Sequence, residues 1–292
     1  RRSGGLTAGP RKGRPAGSGQ GGSAGGREPL RGCGTARARA GAARPPPADA
    51  ALLLVALTRL PRAYLELAAR YPLVLNARPL DIAKRSISRN LVSRDEAYDG
   101  PVMVKSDANA FGNPGRRLAL AGAGAVGRWR EALLDRLPGA LSGRLPAGRY
   151  PFYARKSQVP GWVWRQPALV VERFLPEPQD GGLMVNQAYC FGRRWVLYRF
   201  VAPGPVVKIE QATRIWPLAD SVPPEIEARR AALGLDFGKI DYVRHQGRIE
   251  VLDVARTPWL GAAPWNERQR QAVAQLAAGL DDYPLAPSTT LG

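Results

Sequence analysis

Apolar and polar positions alternate most clearly in the second half of the chain. "ALVVERF" at 168–174, "LMVNQAYCF" at 183–191 and "RRWVLYRFVA" at 193–202 carry the period of two that marks strands, and Gly192 joins the last two as a hairpin. "KIDYV" and "EVLDV" read as two more strands, with "HQG" between them as a turn. Upstream, "YPLVLN" at 71–76 and "GPVMVKSD" at 100–107 predict strands, the second led by Pro101, which a strand start tolerates. Helical spacing is read over 51–70, interrupted by Pro61, and over 81–92, with Asp81 near the start. It returns at 126–137 and at 223–235, where proline sits in the first turn and Gly234 near the end. Helices and strands are mixed, and tight turns link neighbouring strands. That predicts an α+β fold with antiparallel sheets.

Asp241 and Asp253 each sit mid-strand in the late pair. Alternate side chains of a strand share a face. An odd turn, Gln246-Gly247-Arg248, would bring positions of like parity together. Ile240, Tyr242, Leu252 and Val254 would then form an apolar face, with Lys239, Asp241 and Asp253 on the other. The aspartates would lie about 5 Å apart, Cβ to Cβ. Carboxylates that close repel unless a cation stands between them. Mg²⁺ suits such a pair because it takes one or two protein carboxylates and completes its shell with phosphate oxygens and water. Lys239 could hold a phosphate oxygen. The competing reading is a solvated face on which Asp241 pairs with Lys239 or an arginine. His245, the single histidine, reads as a turn residue.

Two upstream segments add candidate phosphate chemistry. Lys105 lies late on an apolar strand, just before the loop "NAFGNPGRR", which contains Gly112. Backbone N–H groups of such a loop can cradle phosphates, and a strand lysine can reach them. The GK[ST] ending of a Walker loop is absent. Glu172 ends a strand that breaks into "LPEPQDGG", where free backbone groups could meet the edge of a base.

Composition narrows the classes. The formal net charge of +19 invites a nucleic-acid reading, but residues 1–50, with ten basic and two acidic side chains, carry +8 of it. In the remainder acids and bases are mixed along the sequence. Nucleic acid is therefore discounted as a partner and kept only as a third alternative, an arginine-rich binder. Residues 1–47 hold mostly Gly, Ala, Arg, Pro and Ser and are expected to be disordered; 281–292 read as a tail. Two cysteines, Cys33 and Cys190, exclude a disulfide framework and a thiolate zinc site. The apolar run at 51–57 is too short to span a bilayer, so no membrane role is expected and the cytoplasm is the default location.

The order of these pieces — lysine on a strand, Gly-rich loop, strand ending in Glu, hairpin, two late acids — resembles the ATP-grasp family. The similarity runs over about 71–257 and is closest in "GPVMVKSDANAFGNPGR" and "GKIDYVRHQGRIEVLDVARTP". The resemblance implies two α+β subdomains gripping ATP between antiparallel sheets. It divides the chain into a remnant of the substrate-side region (48–80), a lysine-and-loop subdomain (81–173) and a metal-binding subdomain (174–280). It implies that Lys105 and Lys84 contact the nucleotide, that Glu172, Arg173, Phe174 and Leu175 form the adenine hinge, and that Asp180 or Gln179 lies near the ribose. Lys208 would be a phosphate-side lysine beside Lys239. Asp241 and Asp253 would be the first two ligands of Mg²⁺, or of Mn²⁺ in its place. Three departures stand out. Ala255 falls where the family's third ligand, an Asn, belongs; the loop lacks consecutive glycines; and the N-terminal substrate-side domain is truncated or replaced.

The implied activity is that of an ATP-dependent carboxylate–amine ligase working through an acylphosphate on small-molecule or peptide substrates. Ala255 keeps open a degenerate, non-catalytic ATP-binding module.

Overall fold

The computed structural model describes residues 48–145, 149–207, 209–258 and 266–284. The expected N-terminal tail and Lys208 lie outside them. The chain begins with a small parallel unit. Strand β1 (Ala50–Leu52) pairs in parallel with β2 (Leu73–Leu75), and α1 (Arg62–Ala68) crosses between them. Leu53, Val55, Leu60 and Ala68 form its core. The helix expected over 51–70 is therefore corrected: a strand and an extended run precede Pro61, and the helix starts after it. A continuous apolar run has no period to tell strand from helix.

The segment at 81–92 is corrected too. Only one turn is helical, α2 (Lys84–Ile87), and Ser88 is already extended. The chain then runs to the second sheet, where Val92 N–H donates to Val171 O at 2.9 Å and Arg173 N–H to Asn90 O at 2.8 Å. That sheet has three antiparallel strands in the order β4-β3-β5: β3 is Val102–Ser106, β4 Phe152–Tyr153 and β5 Leu169–Arg173. Between β3 and β4 lie α3 (Asn113–Ala121), α4 (Ala125–Arg136) and α5 (Gly139–Ser142). Val102, Val104, Val163 and Val171 belong to the core of this part.

The third sheet is the largest. Its order is β11-β10-β7-β8-β9, with β6 (Pro178–Gln179) added to β7. The strands are β7 (Gly182–Phe191), β8 (Arg194–Ala202), β9 (Arg214–Leu218), β10 (Phe237–His245) and β11 (Arg248–Ala255), all antiparallel. Alternation sorts its faces as strand geometry requires. Ala188, Cys190, Ile240, Tyr242 and Val254 pack under Ile82, Ile87 and Ile226, the last from α6 (Pro224–Leu233). On the other face α7 (Glu267–Ala277) lays Ala272 and Leu276 on Tyr189 and Val196. The α+β class and antiparallel sheets expected from the sequence are what the chain forms.

The β10–β11 hairpin reaches its register by an unexpected route. His245 pairs with Arg248, so the turn has two residues, not three. Gln246 and Gly247 both take positive φ, 49° and 76°, the handedness a two-residue hairpin turn needs. An even turn would place Asp241 opposite Leu252. A β-bulge intervenes: Tyr242 pairs with Val251, yet Asp241 pairs with Asp253, leaving Leu252 as the extra residue. The expected faces of β11 are corrected accordingly. Ile249 and Val251 pack on the core with Tyr242, while Leu252 turns to the opposite side beside Val243.

Candidate nucleotide site

Three lysines and three carboxylates from different elements meet between the two antiparallel sheets. On β10, Lys239 Nζ donates to Asp241 Oδ2 at 2.8 Å. From α2, Lys84 Nζ donates to Asp253 Oδ1 on β11. In the small sheet, Lys105 Nζ of β3 forms an ion pair with Glu172 Oε2 of β5 at 2.5 Å. The three pairs feel one another: Glu172 and Asp241 act on Lys84, and Lys239 and Lys105 act on Asp253.

Burial sets the electrostatics. Lys84 is 3% exposed at its side chain. Burial works to lower it, but Asp253, with Glu172 and Asp241 behind it, outweighs burial and holds it above the usual lysine range. Burial likewise works to raise Asp253, which is 32% exposed, and Lys84, with Lys239 and Lys105, outweighs that and holds it low. Asp241, at 15% exposure, moves the other way. Burial raises it, Lys239 offsets only part of that, and Asp253 adds to the rise.

Two buried oxygens here have neither a hydrogen-bond nor an ion-pair partner: Oδ1 of Asp241 and Oε1 of Glu172. Buried acceptors are rarely left so. The orphaned Asp241 oxygen, on the residue paired with Asp253 across the hairpin, fits a divalent cation held by two carboxylates. The described residues gather no cluster of three His, Cys, Asp or Glu side chains that would cage a metal unaided. Ala255, opposite Lys239, has no donor to add. The donor set therefore suits one Mg²⁺ completed by phosphate and water rather than a protein-only cage.

A slot opens beside these pairs. Met103, Lys105, Phe174, Leu175, Val185 and Leu252 are among its lining residues. Of the residues expected at an adenine hinge, Arg173, Phe174 and Leu175 line the slot, whereas Glu172 is held against Lys105 and is not among the lining residues. Arg173 also borders the slot, but its guanidinium pairs with Glu96 at 2.5 Å and lies over the Tyr98 ring. Phe174 N–H donates to Pro101 O, and its ring meets Phe152 edge-on. Free volume in the slot is about 50 Å³, too little for a purine, so a nucleotide would require the walls to part.

The loop after Lys105 is tightly folded. Ala110, Phe111 and Gly112 all take positive φ, 47°, 59° and 76°. Gly112 caps the start of α3, and Phe111 stacks on Tyr150 with centroids 4.3 Å apart. Burial first, then Asp253 and Glu172, hold the Tyr150 phenol above its usual range, which places the stack at the edge of the charged cluster.

Asp180 is not brought to the slot: it is exposed, and its carbonyl accepts from Arg214. Gln179 is exposed on β6. Sequence reasoning missed Glu177, which does line the slot and accepts from Asn186 Nδ2 at 3.1 Å and Arg244 N–H at 2.7 Å. It also missed Arg256. That side chain is fully buried and donates to the carbonyls of Pro79, Leu57 and Thr58, tying the hairpin's end to the N-terminal unit. Glu177, one of two acids in "LPEPQD", and a routine basic residue after Ala255 carried no local signal to single them out. His245 is not a turn residue: it ends β10 opposite Arg248, beside the turn, and its Nδ1 lies 3.1 Å from Pro176 O rather than against the turn backbone.

No protein-family model and no curated protein matches the chain. Among solved structures it is similar to ATP-grasp ligases. One is the ligase PsnB, solved with a phosphomimetic variant of its minimal precursor, Mg and ADP: 13% identity, TM-score 0.33, 62% of this chain and 47% of that one. The chain thus spans about half the length of that ligase. Others are D-alanine–D-alanine ligase from Bacillus anthracis (13% identity, TM-score 0.33, 68% and 61% covered) and the macrocyclase MdnB from Microcystis aeruginosa MRC (11%, 0.32, 76% and 71%).

Proposed function

We propose that the cleft between the two antiparallel sheets is an ATP site of the ATP-grasp kind and that the protein is an ATP-dependent carboxylate–amine ligase. The observation that carries this reading is the convergence of Lys84, Lys105 and Lys239 on Asp253, Glu172 and Asp241. In the absence of ligand the lysines neutralise the acids. With nucleotide bound, the lysines would turn to phosphate oxygens, and Asp241 and Asp253 to one Mg²⁺. Phe174, Leu175 and Leu252 would flank the base, and backbone groups at 173–175 would meet its edge. Lys208, outside the described residues, stays a proposed phosphate-side lysine.

The bound cation would neutralise charge on the phosphates and hold them in line for transfer. The chain's own contribution is positioning and electrostatics, with no side-chain nucleophile. A substrate carboxylate oxygen bonds to the γ-phosphorus as the bond to the β,γ-bridging oxygen breaks, releasing ADP. An amine nitrogen then attacks the acyl carbon of the acylphosphate, inorganic phosphate leaves, and the nitrogen gives up a proton. Lys84 and Lys239, cationic at the Asp241–Asp253 end, suit stabilisation of charge on the transferred group.

Ala255 favours a second reading, a non-catalytic ATP-binding module with the same cleft. Product formation separates the two. Incubation with ATP, Mg²⁺ and mixed carboxylate and amine donors should sustain release of ADP and phosphate over many turnovers only when both donors are present. Tight binding of ATP without turnover under any donor pair would leave the module reading.

A further inference from the structure

One groove takes no part in the charged cleft. It runs along β11, the edge strand of the large sheet, between that strand, α6 and the residues after α2. Ile87, Ile249 and Val251 give it an apolar floor, and Ala228 and Ala232, one turn apart on α6, leave room above. Its volume is about 380 Å³, in the range of small-molecule sites. Arg89 and Arg229 both line it. Arg229 donates to the carbonyls of Ile87 at 2.7 Å and Ser86 at 3.4 Å. Among the described residues, neither arginine has a carboxylate within ion-pair distance.

Two guanidiniums side by side without a counter-ion are unfavourable. Burial, and then the charge of Arg89, hold Arg229 below the usual arginine range. The acids of the groove do not relieve this. Glu250 turns its Oε2 to Asn90 Nδ2 at 3.1 Å, and Glu225 lies beyond ion-pair distance of both arginines. An incoming anion would be bound by two donors that the fold has already gathered and left without a charged partner.

We propose that this groove is a second ligand site that takes a small organic carboxylate. The carboxylate would sit between Arg89 and Arg229, with its apolar body on Ile87, Ile249 and Val251. The site is separate from the nucleotide cleft and does not depend on the reading of that cleft.

Calorimetric titration of the full chain with hexanoate, hexylamine and inorganic phosphate tests it. Hexanoate should bind saturably at one site, about tenfold more weakly in Arg89→Gln. Ala228→Leu, which fills the groove, should abolish binding. Arg89 is exposed, so its variant should melt like the wild type; that comparison guards against a folding artefact. Hexylamine should not bind. No saturable hexanoate binding would overturn the proposal, as would affinity unchanged in both variants. Phosphate binding as tightly as hexanoate would also overturn it, since the apolar floor would then have no part.

Discussion

Asp241 and Asp253 face each other directly across β10 and β11, one residue before a bulge that pushes Leu252 out of the ladder. The bulge restores the phase that a two-residue turn would otherwise have shifted by one. It also sends Val251 to the core and Leu252 to the cleft, so one inserted residue places both the paired acids and a wall of the slot.

The two acids should answer oppositely to removal of their charge. Asp253 is held low by Lys84, so its contribution to stability is present above the unfolded value of 3.8 and lost as the pH falls through its folded value. Asp241 is held high by burial, so its contribution is full below 3.8 and lost as the pH rises through its folded value. Asp241→Asn should therefore stabilise the protein at pH 7 and change little at pH 3. Asp253→Asn strands buried Lys84 and should cost about 3 kcal/mol at pH 7. Denaturant unfolding at both pH values reads the signs directly; destabilisation by Asp241→Asn at pH 7 would contradict the assignment.

Lys105 and Glu172 form the most buried of the three pairs. Lys105→Ala leaves the Glu172 carboxylate without a cation and should cost about 3–5 kcal/mol. Glu172→Gln in the same chain should recover much of that loss, because the stranded charge is gone. Nucleotide binding should not recover with it. A double-mutant cycle in urea, with binding measured in parallel, separates the two effects.

Ala255→Asn would add an oxygen donor opposite Lys239, beside Asp253. Mg²⁺-dependent nucleotide affinity should rise about tenfold, the worth of one added charge-assisted contact. Isothermal titration at fixed nucleotide and varied Mg²⁺ measures it. No change would show that the hairpin is complete without a third protein ligand.

Asn76 joins the N-terminal unit to β10. Its side chain accepts from Asp236 and Phe237 N–H at 3.0 Å and donates to Phe237 O at 2.7 Å, while its backbone takes a φ of 60°. Asn76→Ala should cost about 3 kcal/mol, through unmade buried hydrogen bonds and left-handed backbone strain. Thermal melting should show the loss with the charged cleft's residues untouched.

What could be read from the sequence follows from what each signal encodes. The alternation in "LMVNQAYCF" and "RRWVLYRFVA", with glycine between, specifies a hairpin locally, and the fold contains it. The pairing of Asp241 with Asp253 was legible through parity, but for the wrong turn length, since nothing in "RIEVLD" marks Leu252 as the bulged residue. Lys84 was legible only through family resemblance. Its buried ammonium is matched by Asp253, 169 residues away. Glu177 and Arg256 gain their positions from tertiary packing, which no local pattern reports. The run at 51–57 is apolar on every side, so strand and helix could not be distinguished there.

In the proposed reading, the three lysine–carboxylate pairs hold the place of Mg²⁺ and a nucleoside triphosphate. Titration of the protein with a non-hydrolysable ATP analogue, with and without Mg²⁺, tests it most directly. The expected result is saturable binding that Mg²⁺ strengthens, that Lys105→Ala abolishes, and that Asp241→Asn strips of its Mg²⁺ dependence. Absence of binding in Mg²⁺, or binding indifferent to all three changes, would contradict it.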